Sequence, residues 1–353
     1  TQGSSCIDAG NPAFVFTAGD SDGEARTNGA AVDVGCDEFV AGSCTGTPSL
    51  AIMTPNGTNA TAGYPLSFRA MSDGRPLAFV WRFGDGVAAT NAVMAAHSFG
   101  SPGTYSVSLE AVTLDGNAST SVTVHIWSPE ESVFYVTTNG NDAADGASWP
   151  TAKATIQAAI DAAPIGGSVL VSNGLYASGG AVAGGLTARA AITKPMAVRS
   201  ANGPDVTFIQ GTSAVRCAYL TDSACLSGFT LTGGRAIWYG YGPPARPDGY
   251  GGGVYCEMSG VVSNCILQGN TANNAGGSFG GLLYDCTLAG NSAAYGGGAY
   301  RSTLRNCTLS GNYATSIRYS AGTGGGAYEC ALYNCKLTGN SASYYGGGSA
   351  GGS

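Results

Sequence analysis

Leu283-Tyr-Asp-Cys286-Thr-Leu288-Ala-Gly290-Asn291 is the second of four copies of one short phrase between residues 251 and 353. A Gly-Gly-X-aromatic phrase precedes every copy. A repeat period near 20 residues is typical of a supersecondary unit that buries its apolar face only by stacking on copies of itself. Successive cysteines of the four copies lie 21, 21 and 28 residues apart, at Cys265, Cys286, Cys307 and Cys335.

The composition of the repeat favours strands over helices. Gly, Asn, Ser and Thr fill it, and no apolar stripe with a 3.6-residue period is present. A cysteine and a leucine two residues apart lie on the same face of a strand, and the Gly-Asn that follows supplies a turn with positive φ. Three short strands and three turns per repeat predict one coil of a parallel β-helix, with coils about 4.8 Å apart.

Stacking of such coils predicts two interior columns. One consists of Cys265, Cys286, Cys307 and Cys335, and the other of Leu267, Leu288, Leu309 and Leu337. Buried thiols behave as small apolar groups, so these cysteines are expected to be reduced. The longest interval adds residues around Ile317-Arg-Tyr319, which are expected to form a loop.

The repeats resemble the right-handed parallel β-helices of the pectin-lyase-like class, in particular the Gly-rich Asn-Cys-Thr-Leu-x-Gly-Asn repeats of large bacterial surface proteins. Ahead of them, residues 154–163 form one apolar face from Ile156, Ala159, Ile160 and Ala163, and Pro164 follows. This predicts a helix. In the pectin-lyase-like class such a helix caps the open N-terminal end, which implies a cap at 129–176 and coils at 177–353.

Residues 47–128 have a different sequence pattern. Four short segments alternate apolar and polar residues, and Gly, Pro and Asp turns separate them. These segments predict an antiparallel sandwich. The phrase Trp81-Arg-Phe-Gly-Asp85-Gly, followed by His97 and Tyr105, resembles the motif of the immunoglobulin-like polycystic-kidney-disease (PKD) domain. The resemblance implies that Trp81 is a core residue, Asp85 forms a turn, and His97 and Tyr105 fix the next hairpin. The overall prediction is an all-β chain.

Residues 1–46 are acidic and resemble the closing segment of the same bacterial β-helix proteins, although here they precede the helix. The pair Asp20 and Asp22 looks like half of a calcium loop, with a solvated acidic turn as the simpler interpretation. Cys36 and Cys44 are the best candidates for a disulfide, and Cys6 competes with them. No Cys-x-x-Cys occurs in the chain, so the cysteines do not predict a metal site, and no other cofactor is expected.

Charge and hydropathy exclude some functions. The net charge is −7 without a basic patch, which argues against nucleic-acid binding, and no apolar run is long enough to span a bilayer. An enzyme acting on polysaccharides would need paired carboxylates or a base beside a cation. The acids after residue 177 show no such pairing, and they are Asp205, Asp222, Asp248, Glu257, Asp285 and Glu329.

Two functions then remain. An aromatic row of Phe279, Tyr300 and Tyr328, with the loop from Trp238 to Tyr250, indicates either a carbohydrate-binding adhesin or a row that stiffens the fold. The favoured prediction is a non-enzymatic building block of an extracellular filament or giant cell-surface protein. Its copies, or successive parts of one polypeptide, would join head to tail, with residues 1–44 completing the open coil after residue 340.

Overall fold

The structure is a computed structural model, and it describes residues 49–72, 76–113, 116–237, 247–315 and 322–352. The chain divides into two compact units. One comprises residues up to 55 with 67–97 and 105–124, and the other comprises 56–66, 98–104 and 125 onward. Strands are numbered in chain order.

Eight strands between residues 50 and 127 form two sheets. The three-stranded sheet has the order β1–β3–β6, with β1 (Leu50–Met53), β3 (Pro65–Ser72) and β6 (Met94–Ser98). The five-stranded sheet has the order β2–β8–β7–β4–β5, with β2 (Asn59–Thr61), β8 (Gly116–Trp127), β7 (Gly103–Thr113), β4 (Ala78–Arg82) and β5 (Ala88–Thr90).

One pairing in these sheets differs from the antiparallel sandwich that the sequence predicts. β2 runs parallel to β8, with Asn59 opposite His125 and Thr61 opposite Trp127. The chain changes sheets between β1 and β2, and Gly57 takes a φ of 88° in this connection. β2 therefore lies beside the last strand of the second sheet and points in the same direction.

The core of the two sheets is aromatic. Trp81 is fully buried, its ring centroid lies 6.0 Å from that of Phe68, and its indole N–H donates to the carbonyl of Ala92 at 2.8 Å. Phe68 also lies 5.8 Å from Phe83. Alternate residues of β3 face inward, which is the period of two that the sequence shows.

From residue 133 onward, four further sheets are built almost entirely from parallel pairs, which is consistent with a β-helix. Sheet A contains eight strands: β9 (Val133–Val136), β10 (Ser168–Val171), β14 (Ala197–Ser200), β17 (Cys225–Ser227), β21 (Val261–Ser263), β25 (Leu282–Tyr284), β29 (Thr303–Arg305) and β33 (Ala331–Tyr333). Sheet B contains seven: β11 (Gly174–Tyr176), β15 (Thr207–Gln210), β18 (Thr230–Thr232), β22 (Ile266–Gln268), β26 (Thr287–Ala289), β30 (Thr308–Ser310) and β34 (Lys336–Thr338).

The other two sheets complete each repeat. Sheet C contains β12 (Ala181–Ala183), β13 (Leu186–Ile192), β16 (Val215–Leu220), β20 (Val254–Cys256), β24 (Ser278–Phe279), β28 (Ala299–Tyr300), β32 (Ala327–Tyr328) and β36 (Ser349–Ala350). Sheet D contains β19 (Arg235–Ala236), β23 (Thr271–Ala272), β27 (Ser292–Ala293), β31 (Tyr313–Ala314) and β35 (Ser341–Ala342). β12 and β13 form an antiparallel pair.

The helix α1 (Ile156–Ala162) lies against β9, β10 and β13. Ile156, Ala159 and Ile160 are buried on its inner face. The Thr155 hydroxyl caps its first turn by accepting from the Ala158 amide at 3.2 Å. The described residues also include the 3-10 turns Trp149–Thr151 and Pro247–Gly249.

Several predictions fall outside the described residues. They concern the whole segment 1–46, with Cys6, Cys36, Cys44, Asp20 and Asp22, the loop around Ile317-Arg-Tyr319, and the part of the aromatic loop between 238 and 246.

Candidate functional site

The leucines of the repeat form one interior column. Parallel pairing places Leu267 beside Leu288, Leu288 beside Leu309, and Leu309 beside Leu337. The first three are fully buried, whereas Leu337 is half-buried because no further described turn stacks on it. Since burial of a leucine stabilises a fold by roughly 1.5–3 kcal/mol, this column is a main source of cohesion between turns.

The cysteines lie next to that column at the turn between sheets A and B. Cys265, Cys286 and Cys307 are buried and Cys335 is half-buried, and all four are free thiols. The sulfur of Cys307 accepts from the backbone amide of Cys286 at 3.4 Å. Burial raises the pKa of Cys265 to about 12, so this thiol stays protonated at neutral pH. A protonated buried thiol packs and hydrogen-bonds but does not act as a nucleophile.

An asparagine column is the feature that sequence reasoning missed. Asn291 is fully buried. Its side-chain Nδ2 donates to the Leu267 carbonyl at 2.8 Å and to Asn312 Oδ1 at 2.9 Å. Its Oδ1 accepts from both the backbone and the side-chain nitrogen of Asn270. The sequence pattern predicted only that Gly-Asn supplies a turn with positive φ. The glycine does take a positive φ, 61° at Gly290, but the asparagine points inward. Its recurrence in all four copies was the available signal, because stacked identical amides satisfy one another.

The motif residues of the sandwich lie close together. His97 Nε2 and Asp85 Oδ2 are 2.6 Å apart, and the His97 ring stacks on Phe83 at 4.2 Å. Asp85 Oδ1 accepts from the Val87 amide at 3.1 Å, which closes the turn after β4. Tyr105 is half-buried in β7. These contacts join a turn to a strand, and they describe a structural hydrogen bond rather than a nucleophile and its base.

Four of the six acids of the repeat region accept hydrogen bonds from polar neighbours that are not acids. Asp222 accepts from Ser259, Glu257 from Tyr219, Glu329 from Arg301, and Asp285 from Asn306. Among the described residues, no group of three or more His, Cys, Asp or Glu side chains could hold a metal ion.

One further feature of the repeats is a row of aromatic side chains. Five aromatic side chains follow one another along sheet C, one per turn, and we call them the aromatic column: Tyr219, Tyr255, Phe279, Tyr300 and Tyr328. Their successive ring centroids are 5.5, 5.0, 5.5 and 5.2 Å apart. Tyr300 is buried to 9% exposure and the other four are half-buried.

Charged groups border the aromatic column. Arg301 Nε donates to Glu329 Oε2 at 2.8 Å, and its guanidinium lies 5.1 Å from the Tyr300 ring centroid. The Tyr219 hydroxyl donates to Glu257 Oε1 at 2.8 Å. Burial raises the pKa of the Tyr300 hydroxyl to about 12, with Glu329 adding to the shift. The phenol groups therefore remain neutral hydrogen-bonding groups at physiological pH.

A fully buried arginine lies at one end of the column. The Arg216 guanidinium is 5.2 Å from the Tyr255 ring centroid, and its Nη1 donates to the Ala183 carbonyl at 3.4 Å. Burial lowers the pKa of Arg216 to about 10, although Tyr255 and the negative Asp248 oppose the shift. No sequence pattern indicated that this arginine would be enclosed.

Comparison with known proteins identifies one part of the chain. Residues 50–126 match the family model of the PKD domain. The chain is also similar to the solution structure of the PKD domain from the human VPS10 domain-containing receptor SorCS2. The sequence identity is 20% and the TM-score 0.22, and the match covers 29% of this chain and 98% of that chain. No curated protein matches the chain.

The resemblance to the PKD domain is thus confirmed: residues 50–126 are a PKD domain within an all-β protein. The family match does not extend to the repeats. Among the residues that the structure describes, no helix is long and apolar enough to cross a membrane.

Proposed function

We propose that this protein is a structural building block of an extracellular filament or a giant cell-surface protein. In this proposal, residues from 133 onward form a right-handed parallel β-helix, with α1 as its N-terminal cap. The observation that carries the proposal is the unbroken register of identical side chains from turn to turn. Leu267, Leu288, Leu309 and Leu337 pair in sequence, and the buried amides of Asn270, Asn291 and Asn312 form a continuous chain of hydrogen bonds.

Such columns favour stiffness over catalysis. Each buried asparagine is bonded to the turn before and the turn after it, so one turn cannot shift without breaking bonds on both sides. The reactive side chains are also engaged: six of the eight described thiols are buried, and four of the repeat acids have hydrogen-bonding neighbours. We therefore expect no hydrolase or lyase activity.

The proposal includes head-to-tail joining. In the described residues, the outermost strands β33, β34, β35 and β36 each pair with one neighbour. Open strand edges beside half-buried Leu337 and Cys335 would accept a further turn in parallel register. The sequence resemblance of residues 1–44 to a closing segment makes that segment of another copy, or of a continuing polypeptide, the proposed occupant.

Electron microscopy of the purified protein tests this assembly. We expect filaments from the full chain and short or monomeric particles after deletion of residues 1–44. The matched control is Arg305→Ala, which alters an exposed side chain of the repeats and should leave the filaments intact. Filaments that persist unchanged in the deletion variant would rule out the joining mechanism.

Incubation with pectin, alginate and neutral glucans tests the absence of catalysis. We expect no release of reducing or unsaturated sugars. Release that disappears when one of the repeat acids, for example Glu257 or Glu329, is replaced by Gln would contradict the structural proposal.

A further inference from the structure

We propose that the aromatic column on sheet C binds an extended neutral polysaccharide, with successive sugar rings lying along successive turns. This binding function goes beyond the proposed structural role and does not depend on it. A protein that forms no filaments could still bind through this surface.

Ring geometry is the first argument. Tyr219 and Tyr255 are nearly parallel, at 7°, and their centroids are 5.5 Å apart. Contacting parallel rings are separated by only about 3.5–4 Å, so these two rings must be displaced sideways. All rings of the column except Tyr300 are half-buried, so part of each of these four remains accessible to solvent. Farther along, Phe279 and Tyr300 meet at 77°, so the column also presents ring edges.

Spacing is the second argument. The four centroid distances of the column lie between 5.0 and 5.5 Å, because each turn of the fold contributes one ring. An extended β-1,4-linked chain advances by one pyranose ring over a distance close to the strand spacing of about 4.8 Å. The C–H face of a pyranose is apolar and packs on an aromatic ring. Sugar rings and protein rings can therefore stay in register over several turns.

The charge at the border selects the kind of polysaccharide. Arg301 is paired with Glu329, and the buried Arg216 guanidinium lies over the Tyr255 ring with Asp248 as an acidic neighbour. Glu257 adds a further carboxylate, so the border carries two cationic and three anionic side chains. A uronate or sulfated chain would meet excess negative charge. A neutral chain has no such penalty, and its hydroxyls can donate to the carboxylates of Glu257 and Glu329.

The test measures binding of the full chain to soluble hydroxyethylcellulose and to cellohexaose, by affinity electrophoresis and calorimetry. Polygalacturonate is the acidic comparison. We expect binding to the neutral glucans and none to polygalacturonate. No binding to either neutral glucan, or binding to polygalacturonate alone, would overturn the proposal.

Variants locate the site. Tyr255→Ala and Tyr328→Ala should each weaken binding by at least about fivefold, because each removes one ring from the column. Tyr333→Ala is the matched control, since Tyr333 is 47% exposed on sheet A, and it should change binding less than twofold.

Two measurements separate lost stacking from a lost fold. The thermal unfolding midpoint reports whether Tyr255→Ala still folds. Tyr255→Phe and Tyr328→Phe retain the rings, so they should bind within about twofold of the unchanged chain. Affinity that is unaffected by either alanine substitution would place any glycan binding elsewhere and refute this site.

Discussion

The PKD domain and the stacked sheets use opposite ways of filling a core. The sandwich depends on a few large side chains such as Trp81, Phe68 and Phe83, whose ring contacts are not repeated elsewhere in the core. The stacked sheets depend on small side chains repeated in columns, where Leu288 or Asn291 meets a copy of itself above and below. In the PKD domain, the stability of the core can therefore depend strongly on one residue. In the stacked sheets, stability is spread along the stack and depends on neighbours.

The largest effect is expected from Trp81→Ala. This change removes a fully buried indole and its hydrogen bond to Ala92, and large-to-small substitutions of this kind cost about 3–5 kcal/mol. Chemical unfolding followed by near-UV circular dichroism measures it. We expect the loss in the sandwich transition while the transition of the stacked sheets stays in place.

The matched control for this substitution is Trp149→Ala, since Trp149 is 42% exposed. It should cost far less than Trp81→Ala. Equal losses from the two changes would show that burial of the Trp81 indole is not what makes its removal costly.

Asn291→Ala should have the next largest effect. The change leaves the Leu267 carbonyl and two donors of Asn270 without their partner inside the stack, and it removes one of the two hydrogen bonds from residue 291 to Asn312 Oδ1. Since each buried unsatisfied group costs about 1–3 kcal/mol and local relaxation recovers part of it, we expect a loss of about 2–4 kcal/mol in urea unfolding.

Asn340→Ala is the control that sharpens this comparison. Asn340 accepts from Asn312 and donates to the Leu309 carbonyl, but it is half-buried, so water can replace its bonds. It should cost about half as much as Asn291→Ala. Equal costs would mean that the amide column does not gain strength from being enclosed.

These two residues also show what a sequence can predict. Trp81 is recognisable because a specific motif surrounds it, and the repeat period places Leu288 in an interior column without further information. The inward direction of Asn291 could not be predicted in the same way. Gly-Asn is compatible with an external turn, and only the presence of stacked partners makes a buried amide favourable.

Features that depend on contacts distant in sequence were also not predictable. The parallel pairing of β2 with β8 follows from a change of sheet within a short connection. The enclosure of Arg216 depends on Tyr255 and Asp248, which come from later parts of the chain. Cys256 and Cys330 are buried as well, although they lie outside the repeated phrase. Periodicity shows which residues recur, but it does not show which single residues meet.

Thiol accessibility should differ between the middle and the outer turn of the stack. Cys286 is 2% exposed, whereas Cys335 is half-buried. The thiolate is the reactive form, and alkylation of a buried thiol requires the turn to open. We expect iodoacetamide to label Cys286, Cys265 and Cys307 at least about tenfold more slowly than Cys335. Peptide mass mapping after timed labelling measures the rates, and rapid labelling of Cys286 would contradict the register of the columns.

The smallest effect concerns pH and is specific to the sandwich. Burial of Asp85 by itself would raise its pKa, but the hydrogen bonds with His97 and the Val87 amide outweigh burial, and the pKa lies below the usual value of 3.8. A carboxyl whose pKa is lowered by folding contributes stability above its unfolded pKa and loses that contribution as the pH falls through the folded value. The sandwich should therefore lose stability below about pH 4, by at most about 1 kcal/mol for a single pair near the surface.

Asp85→Asn should remove this part of the pH dependence, while Glu130→Gln, which alters an exposed carboxylate outside the sandwich strands, should leave it unchanged. Unfolding curves between pH 2 and pH 7 measure the difference, and the same acid sensitivity in Asp85→Asn as in the unchanged chain would show that the Asp85–His97 pair does not stabilise the domain.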